Sequence, residues 1–345
     1  MELSLQEMVK RPIHEIPTRY IVDQEAGISR PSEEISSSVA AEIPVLDMES
    51  LLDEQTKASQ LEKLHSTCTE WGIFQLVNHG VNTSLVEKLK HEIKEFYNLP
   101  LEERLRYKIR DGEVEGYGQT IIVSQDQKVD WADRFFMITN PIQRRKPHLF
   151  PDLPLSLRET LEAYISELQK LSRAILAVMA ESLKMEASEV EEMFEDGMQS
   201  LRMTYYPPCP EPEKVMGLTP HSDASGITVL LQVNGVQGFE IKKDGVWMPV
   251  HFLPDAFVVN IGDILEIVSN GEFKSIEHKV TVNSERERIT MAMFFNCKFE
   301  AEVGPSPSLL ATQRPIFRRL KMEQYVKDFF ARKLNGKSFL DYMKI

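Results

Sequence analysis

Apolar residues recur along this chain with two different periods, and the changeover falls near residue 200. Before it, Leu61, Leu64, Cys68 and Trp71 recur at helical spacing, which predicts an amphipathic helix over 55–71, stopped by Gly72. Leu85, Leu89, Ile93 and Phe96 mark a second helix. Leu157, Leu161, Ile165, Leu168, Leu171, Ile175, Met179 and Leu183 mark a long third one. Short strands are expected at 43–46 and at 73–77, the latter ended by the turn Asn78-His79-Gly80. Beyond residue 200 the pattern alternates. Leu201, Met203 and Tyr205 fall on one face of a strand, and Arg202, Thr204 and Tyr206 on the other. Further strands are expected at 227–233, 256–260, 264–268, 275–282 and 288–296. Asp244-Gly245 closes a hairpin between 239–241 and 246–247. A closing helix is expected over 321–334. Helices, then strands, then a helix make an α+β chain whose strand spacing suits a jelly roll or barrel. Three regions follow: an N-terminal arm over 1–42, broken by Pro12, Pro17 and Pro31; a helical and mixed region over 43–195; and a β region with its closing helix over 196–345.

Composition narrows the function. The 345 residues are 42% hydrophobic and 27% charged, as in soluble globular proteins. Forty Lys and Arg stand against 53 Asp and Glu, a net charge of -13, and no basic run such as five consecutive Lys or Arg appears. Nucleic acid and anionic membrane surfaces are therefore disfavoured partners. Cys68, Cys209 and Cys297 are too few and too scattered for a disulfide framework, no secretory signal opens the chain, and no apolar run is long enough to span a membrane. A cytosolic monomer with reduced thiols is the expectation.

The candidate chemistry lies in the alternating half. His221 and Asp223 are two apart and Pro220 precedes them, so a strand would place both side chains on one face. His278 lies between Ile276 and Val280 on the apolar face of its own strand. Two imidazoles and a carboxylate cover half of an octahedral metal and leave the other half open. Taken singly, these signals are weak: an H-x-D recurs by chance, and an inward histidine is ordinarily a hydrogen-bonded core residue. The remaining histidines sit in loops, turns or polar helix faces. Arg288, Thr290, Ala292, Phe294 and Asn296 share one face of the last strong strand. A buried guanidinium needs a partner, and no carboxylate of its own strand faces it. A ligand carboxylate would serve, with the Thr290 hydroxyl and Tyr206 adding hydrogen bonds. The bland alternative is a surface arginine in the charged stretch Glu285-Arg286-Glu287-Arg288.

Together these residues resemble a known family. His221-Ser222-Asp223, His278 and Arg288-x-Thr290 are similar to the H-x-D…H…R-x-S signature of the plant 2-oxoglutarate/Fe(II)-dependent dioxygenases. The segment from Thr204 to Pro210 resembles their N-Y-Y-P-x-C-P stretch, and that from Trp71 to Gly80 their N-terminal hallmark. The likeness runs from about residue 43 to the C-terminus, and it is similar to the SRG1-like group with its norcoclaurine-synthase-like and opiate O-demethylase-like members. It implies a double-stranded β-helix (jelly roll) core flanked by helices. Fe(II) would sit on His221, Asp223 and His278, with no catalytic residue beyond these ligands. The co-substrate 2-oxoglutarate would be gripped by Arg288, Thr290 and Tyr206, with Thr204 near its other end. Dioxygen would be the oxidant and ascorbate the reductant. Thr290 stands where the family usually has Ser, and Thr204 where many members have Asn; both changes read as tuning.

On the substrate side, Phe294 could stack on a flat ring. Tyr117, Asn296 and Ile122 complete the expected pocket, while the aromatics of 131–136 read chiefly as core. The implied activity is hydroxylation or O-demethylation of a specialised plant small molecule such as an alkaloid or flavonoid, with release of succinate and carbon dioxide. The alternative is a non-oxidative, metal-bound protein that binds or condenses small molecules on the same scaffold.

Overall fold

A computed structural model describes residues 4–22, 42–119, 127–332 and 335–345. Eight strands form the major sheet, in the order Val45–Asp47, Ile73–Val77, Phe257–Ile261, Ile227–Gln232, Arg288–Phe295, Gln199–Tyr206, Asp133–Asn140, Gly116–Gly118. Only the first pair is parallel; the rest run antiparallel. Four strands, Leu218–His221, His278–Val280, Phe239–Lys243 and Val246–Pro249, make a minor sheet facing it.

Alternation decides what each face of the major sheet does. Leu201, Met203, Ile289, Met291 and Met293 point outward into a core shared with the helices. Tyr206, Leu230, Val258 and Ala292 point inward, where Leu218, Phe239, Ile241 and Val280 of the minor sheet meet them. The long helix Leu155–Ser182 packs its buried stripe of Leu157, Leu161, Ile165, Leu168, Leu171 and Ile175 into the outer core. Burying each such side chain stabilises by about 1.5–3 kcal/mol, so the outer core braces the sheet and leaves the inner face free for polar work. Helices Lys57–Glu70 and Thr83–Asn98 fall where their periodicity placed them. The first ends at Gly72, whose φ of 66° and close approach to the Lys274 carbonyl exclude a side chain. The hairpin turn Asp244-Gly245 has both residues at positive φ, 51° and 82°, as a type I′ turn requires.

Three expectations fail locally. The stretch 264–268 is not a strand but part of the helix Asp263–Val268. All six of its residues are buried, so neither period shows in an apolar run this short. Its first amides decide the matter: Gly262, Asp263 and Ile264 donate to the carbonyls of Gly226, Asp223 and Ser225. A Cβ on Gly262 would lie 2.1 Å from the Ser225 carbonyl, so only glycine permits this contact. The second difference is at 275–282, where only His278–Val280 pairs as a strand. The third is the closing helix, which runs over Met322–Phe330, while part of the expected span lies outside the described residues.

The N-terminal segment is docked. Asp133 accepts hydrogen bonds from the amides of Leu5 and Gln6, both at 2.9 Å, and from the Ser4 hydroxyl. Arg104, fully buried, binds Glu7, Gln6 and the Tyr117 hydroxyl. Leu5, Ile16 and Tyr20 then cover Trp131, Cys209 and Val215.

Candidate active site

His221 ends one strand of the minor sheet, and its register partner is His278 on the neighbouring strand. Pairing at that position brings the two rings to 4.3 Å between centroids. Asp223 follows in the turn that leads to Ile227–Gln232. The ligand-capable atoms of His221, Asp223 and His278 all lie within 4.8 Å of one another, and all three residues are buried. Asp223 Oδ1 is 3.5 Å from Nε2 of His221 and 3.7 Å from Nε2 of His278.

The second layer fixes which atoms face inward. Nδ1 of His221 lies 2.8 Å from the Thr219 carbonyl, and Nδ1 of His278 lies 3.2 Å from the Ile276 carbonyl. A carbonyl only accepts, so both Nδ1 atoms carry the proton, and both Nε2 lone pairs point into the cluster. Among the described residues the Nε2 of His221 has no hydrogen-bond partner. Asp223 Oδ2 accepts from the Thr228 hydroxyl at 2.7 Å and from the Asn260 amide at 2.9 Å, which leaves Oδ1 directed at the imidazoles. Burial works to raise the Asp223 pKa, but His278, His221 and the Asn260 amide outweigh it, and the carboxyl is held well below its usual range. Burial, reinforced by His221 and opposed by Asp223, pushes His278 down to about 4. Two imidazole Nε2 atoms and one carboxylate oxygen thus converge, with their other atoms already spoken for. This donor set fits a divalent iron ion.

Beside the cluster, two neighbouring strands, Gln199–Tyr206 and Arg288–Phe295, build a polar wall. Arg288 pairs in register with Tyr206, and Thr290 with Thr204. All four side chains line the same inner chamber as Asp223 and His278. Arg288 is 2% exposed. Its Nε donates to the Val236 carbonyl at 3.2 Å, while both terminal nitrogens lack a hydrogen-bond partner among the described residues. Its guanidinium stands 5.3 Å from the Tyr206 ring centroid. Burial lowers its pKa, although an arginine remains charged. A buried cation with two open donors is a receptor for a carboxylate.

The chamber opens into a larger cavity of about 330 Å³. His221 and Asp223 stand on its floor, and Phe294, Asn296 and Phe136 line its wall, with Phe329 and Val326 of the closing helix opposite. Phe294 lines both spaces. Trp131 and Phe135 are core residues, as expected. Tyr117 is not at the cavity. It is 1% exposed, and its hydroxyl joins Arg104 and Ser4 in the network that docks the N-terminal segment. Ile122 lies outside the described residues.

Comparison with known proteins decides the family. Residues 197–296 match the 2OG-Fe(II) oxygenase superfamily, and residues 43–153 match the non-haem dioxygenase in morphine synthesis N-terminal domain. Protein SRG1 of Arabidopsis thaliana is 49% identical over 99% of this chain and 96% of its own length. Codeine O-demethylase of Papaver somniferum is 48% identical over 99% of this chain and 96% of its own. The chain belongs to the 2OG-Fe(II) oxygenase superfamily. The crystal structure of JOX2 in complex with 2OG, Fe and JA superposes with a TM-score of 0.90 at 33% identity, covering 100% of this chain and 98% of that one. The protein is therefore a 2-oxoglutarate-dependent dioxygenase that uses Fe(II), 2-oxoglutarate and dioxygen. No helix among the described residues is long and apolar enough to cross a membrane.

Several residues of this oxygenase site escaped the sequence reading. Asn260 and Thr228 orient Asp223 from strands 37 and 5 residues away, and no local pattern marks them. Gly336 pairs with the His221 strand, its amide donating to the Pro220 carbonyl at 3.0 Å and its carbonyl accepting from Ser222 at 3.2 Å. The Ser222 hydroxyl in turn donates to Asp263, whose carboxyl burial pushes up to about 7. Arg202 did leave a signal, being an arginine on the inward face of Gln199–Tyr206.

Proposed function

We propose that this enzyme oxidises an O-methyl or ring-bound carbon of a flat aromatic plant metabolite, with O-demethylation as the main outcome. The carrying observation is that His221 and Asp223 line a cavity whose walls include Phe294 and Phe136, while Arg288 lines the adjoining inner chamber that Asp223 also lines. Substrate and co-substrate would thus approach one metal position from different sides. The likeness to codeine O-demethylase supports the demethylation reading.

In this reading His221 and His278 through Nε2, and Asp223 through Oδ1, hold the iron. When bound, iron supplies the activation of dioxygen that couples decarboxylation of 2-oxoglutarate to oxidation of a C–H bond. The protein contributes placement. Arg288 takes the far carboxylate in a two-pronged grip, Thr290 and Tyr206 add hydroxyl contacts, and Thr204 lies towards the nearer end. Thr228 and Asn260 hold Asp223 so that one oxygen is presented. Phe294 supports the substrate ring, and Asn296 offers a polar contact deeper in the wall. Hydroxylation of an O-methyl carbon gives a hemiacetal, which collapses to formaldehyde and the free hydroxyl. We further infer a monomer in the cytosol, supported by three buried, unpaired cysteines.

The test is a coupled assay of the full chain with Fe(II), 2-oxoglutarate and ascorbate against O-methylated flavonoids and alkaloids. Succinate and formaldehyde are expected in equal amounts with the demethylated product. Succinate with a hydroxylated product but no formaldehyde would overturn demethylation, and no succinate above the enzyme-free blank would overturn the wider reading.

A further inference from the structure

The cavity carries a charge opposite to that of the protein. The chain as a whole is -13, yet four arginines, Arg134, Arg144, Arg202 and Arg332, line the cavity. Its described carboxylates are Asp130 and Asp223. Asp223 is committed to the imidazoles, and Asp130 accepts from the Thr219 amide and hydroxyl at 2.9 and 2.6 Å.

Arg144 and Arg332 are occupied at the rim, lying over Phe299 at 4.0 Å and over Tyr342 at 4.1 Å. The inner pair is different. Arg134 and Arg202 sit on adjacent strands, where Arg134 is opposite Thr204 and Arg202 is opposite Phe136. They are therefore diagonal neighbours on the inward face. Arg134 donates its Nε to the Gln119 carbonyl at 3.2 Å. Arg202 lies 5.7 Å from the centroid of Phe294, and its Nε is buried without a hydrogen-bond partner among the described residues. Among the described residues neither guanidinium forms a salt bridge, and the counter-charge that acts on Arg134 is Asp130. The two repel one another, and burial together with Arg202, opposed in part by Asp130, lowers the pKa of Arg134 to about 10. Two neighbouring cations in an apolar cavity are costly unless an anion joins them.

We propose that Arg134 and Arg202 are specificity-determining residues and that the substrate is an anionic aromatic compound, bearing a carboxylate or an ionised phenol, whose charged group lies between the two guanidiniums while its ring rests against Phe294. This deepens the proposed dioxygenase reading and rests on the cavity being the substrate site. Phe294 then serves two partners, with Arg202 on its face and the substrate ring at the metal end. The arrangement selects against ammonium-bearing compounds of the same shape, because the positive wall repels them.

Binding should be measured by equilibrium dialysis on the full chain with Fe(II) and 2-oxoglutarate under anaerobic conditions. The probes are 4-methoxycinnamate, its methyl ester and 4-methoxyphenethylammonium. The acid should bind at least roughly tenfold more tightly than the ester, as a charge-assisted contact implies, and the ammonium compound should bind weakest. Arg202→Gln and Arg134→Gln should each reduce the preference for the acid to roughly threefold or less, and Arg202→Lys should restore part of it. Thermal melts of each variant check that the fold persists. Equal or tighter binding of the ester would overturn the charge proposal, and a preference that survives both glutamine variants would overturn its assignment to these arginines. Aerobic succinate formation, measured separately, addresses the underlying reading: its complete absence with all probes and with O-methylated flavonoids would sink the dioxygenase placement, while the dialysis still reports on charge.

Discussion

The two ends of the inner chamber differ in how much they satisfy themselves. At the metal end, every atom not needed for a ligand already has a partner: both Nδ1 atoms bind carbonyls, and Asp223 Oδ2 binds Thr228 and Asn260. At the anchor end, Arg288 is as deeply buried, yet among the described residues two of its nitrogens lack a hydrogen-bond partner and have only Tyr206 beside them. The metal end is therefore an ordered receptor whose positions are set by protein. The anchor end stores an unmet electrostatic demand, which a bound dianion relieves. On the proposed reading, one end would hold the metal and the other would set how strongly the co-substrate is held.

The largest effect that could break this comparison is expected at the metal end. His221→Ala should lower iron content, measured by elemental analysis, to that of a non-binding control and bring succinate formation down to the blank. An iron-replete, active variant would refute the ligand assignment. Next, Arg288→Gln should act mainly on the other component. Loss of one side of a buried charge contact costs about 2–5 kcal/mol, so the KM for 2-oxoglutarate should rise on the order of a hundredfold with iron content intact. The contrast sharpens in the absence of ligands. Removing an unpaired buried cation should leave the ligand-free Arg288→Gln variant at least as stable as the parent, whereas 2-oxoglutarate should raise the Tm of the parent only. A clearly destabilised ligand-free variant would show that Arg288 is satisfied by contacts within the protein.

How much of this was legible beforehand follows the same division. Alternation along 201–206 and 288–296 correctly separated the inward residues Thr204, Tyr206, Arg288 and Thr290 from the outward Leu201, Met203 and Met291. Period-two geometry is local, so one strand suffices to read it. The long helix was legible for the same reason, since its buried stripe repeats within itself. What failed depends on distant partners. Tyr117 lies in a Gly-Tyr-Gly strand, and nothing nearby shows that Ser4 and Arg104 claim its hydroxyl. The stretch Ile264 to Val268 is buried on all sides, and amides reaching the 223–226 carbonyls, not side-chain pattern, make it helical. Arg202 was visible on the inward face, but its meaning waited on the strand beside it, which brings Arg134 alongside.

The second layer offers a finer test. Asn260→Ala removes one of two donors to Asp223 Oδ2 and leaves the three ligands in place. Outer-layer changes of this kind cost about 10- to 100-fold in metal affinity, so iron should be held more weakly but not lost, and excess Fe(II) should restore turnover. Failure of excess metal to restore activity would mean that Asn260 acts beyond orienting Asp223.

The smallest expected effect separates shape from hydrogen bonding at Thr290. Thr290 pairs in register with Thr204 on one side and Gln232 on the other, so its side chain is confined on the inward face. Thr290→Ser keeps the hydroxyl and removes a methyl, and should leave the KM for 2-oxoglutarate within roughly threefold of the parent, because a hydroxyl contact of about 1 kcal/mol is retained. Thr290→Val keeps the shape and removes the hydroxyl, and should raise KM by roughly fivefold, far less than Arg288→Gln. If valine matched serine, the hydroxyl would contribute nothing to the grip, and the anchor end would reduce to Arg288 with Tyr206 beside it. A valine variant as damaging as Arg288→Gln would instead make Thr290 an equal partner in holding the dianion.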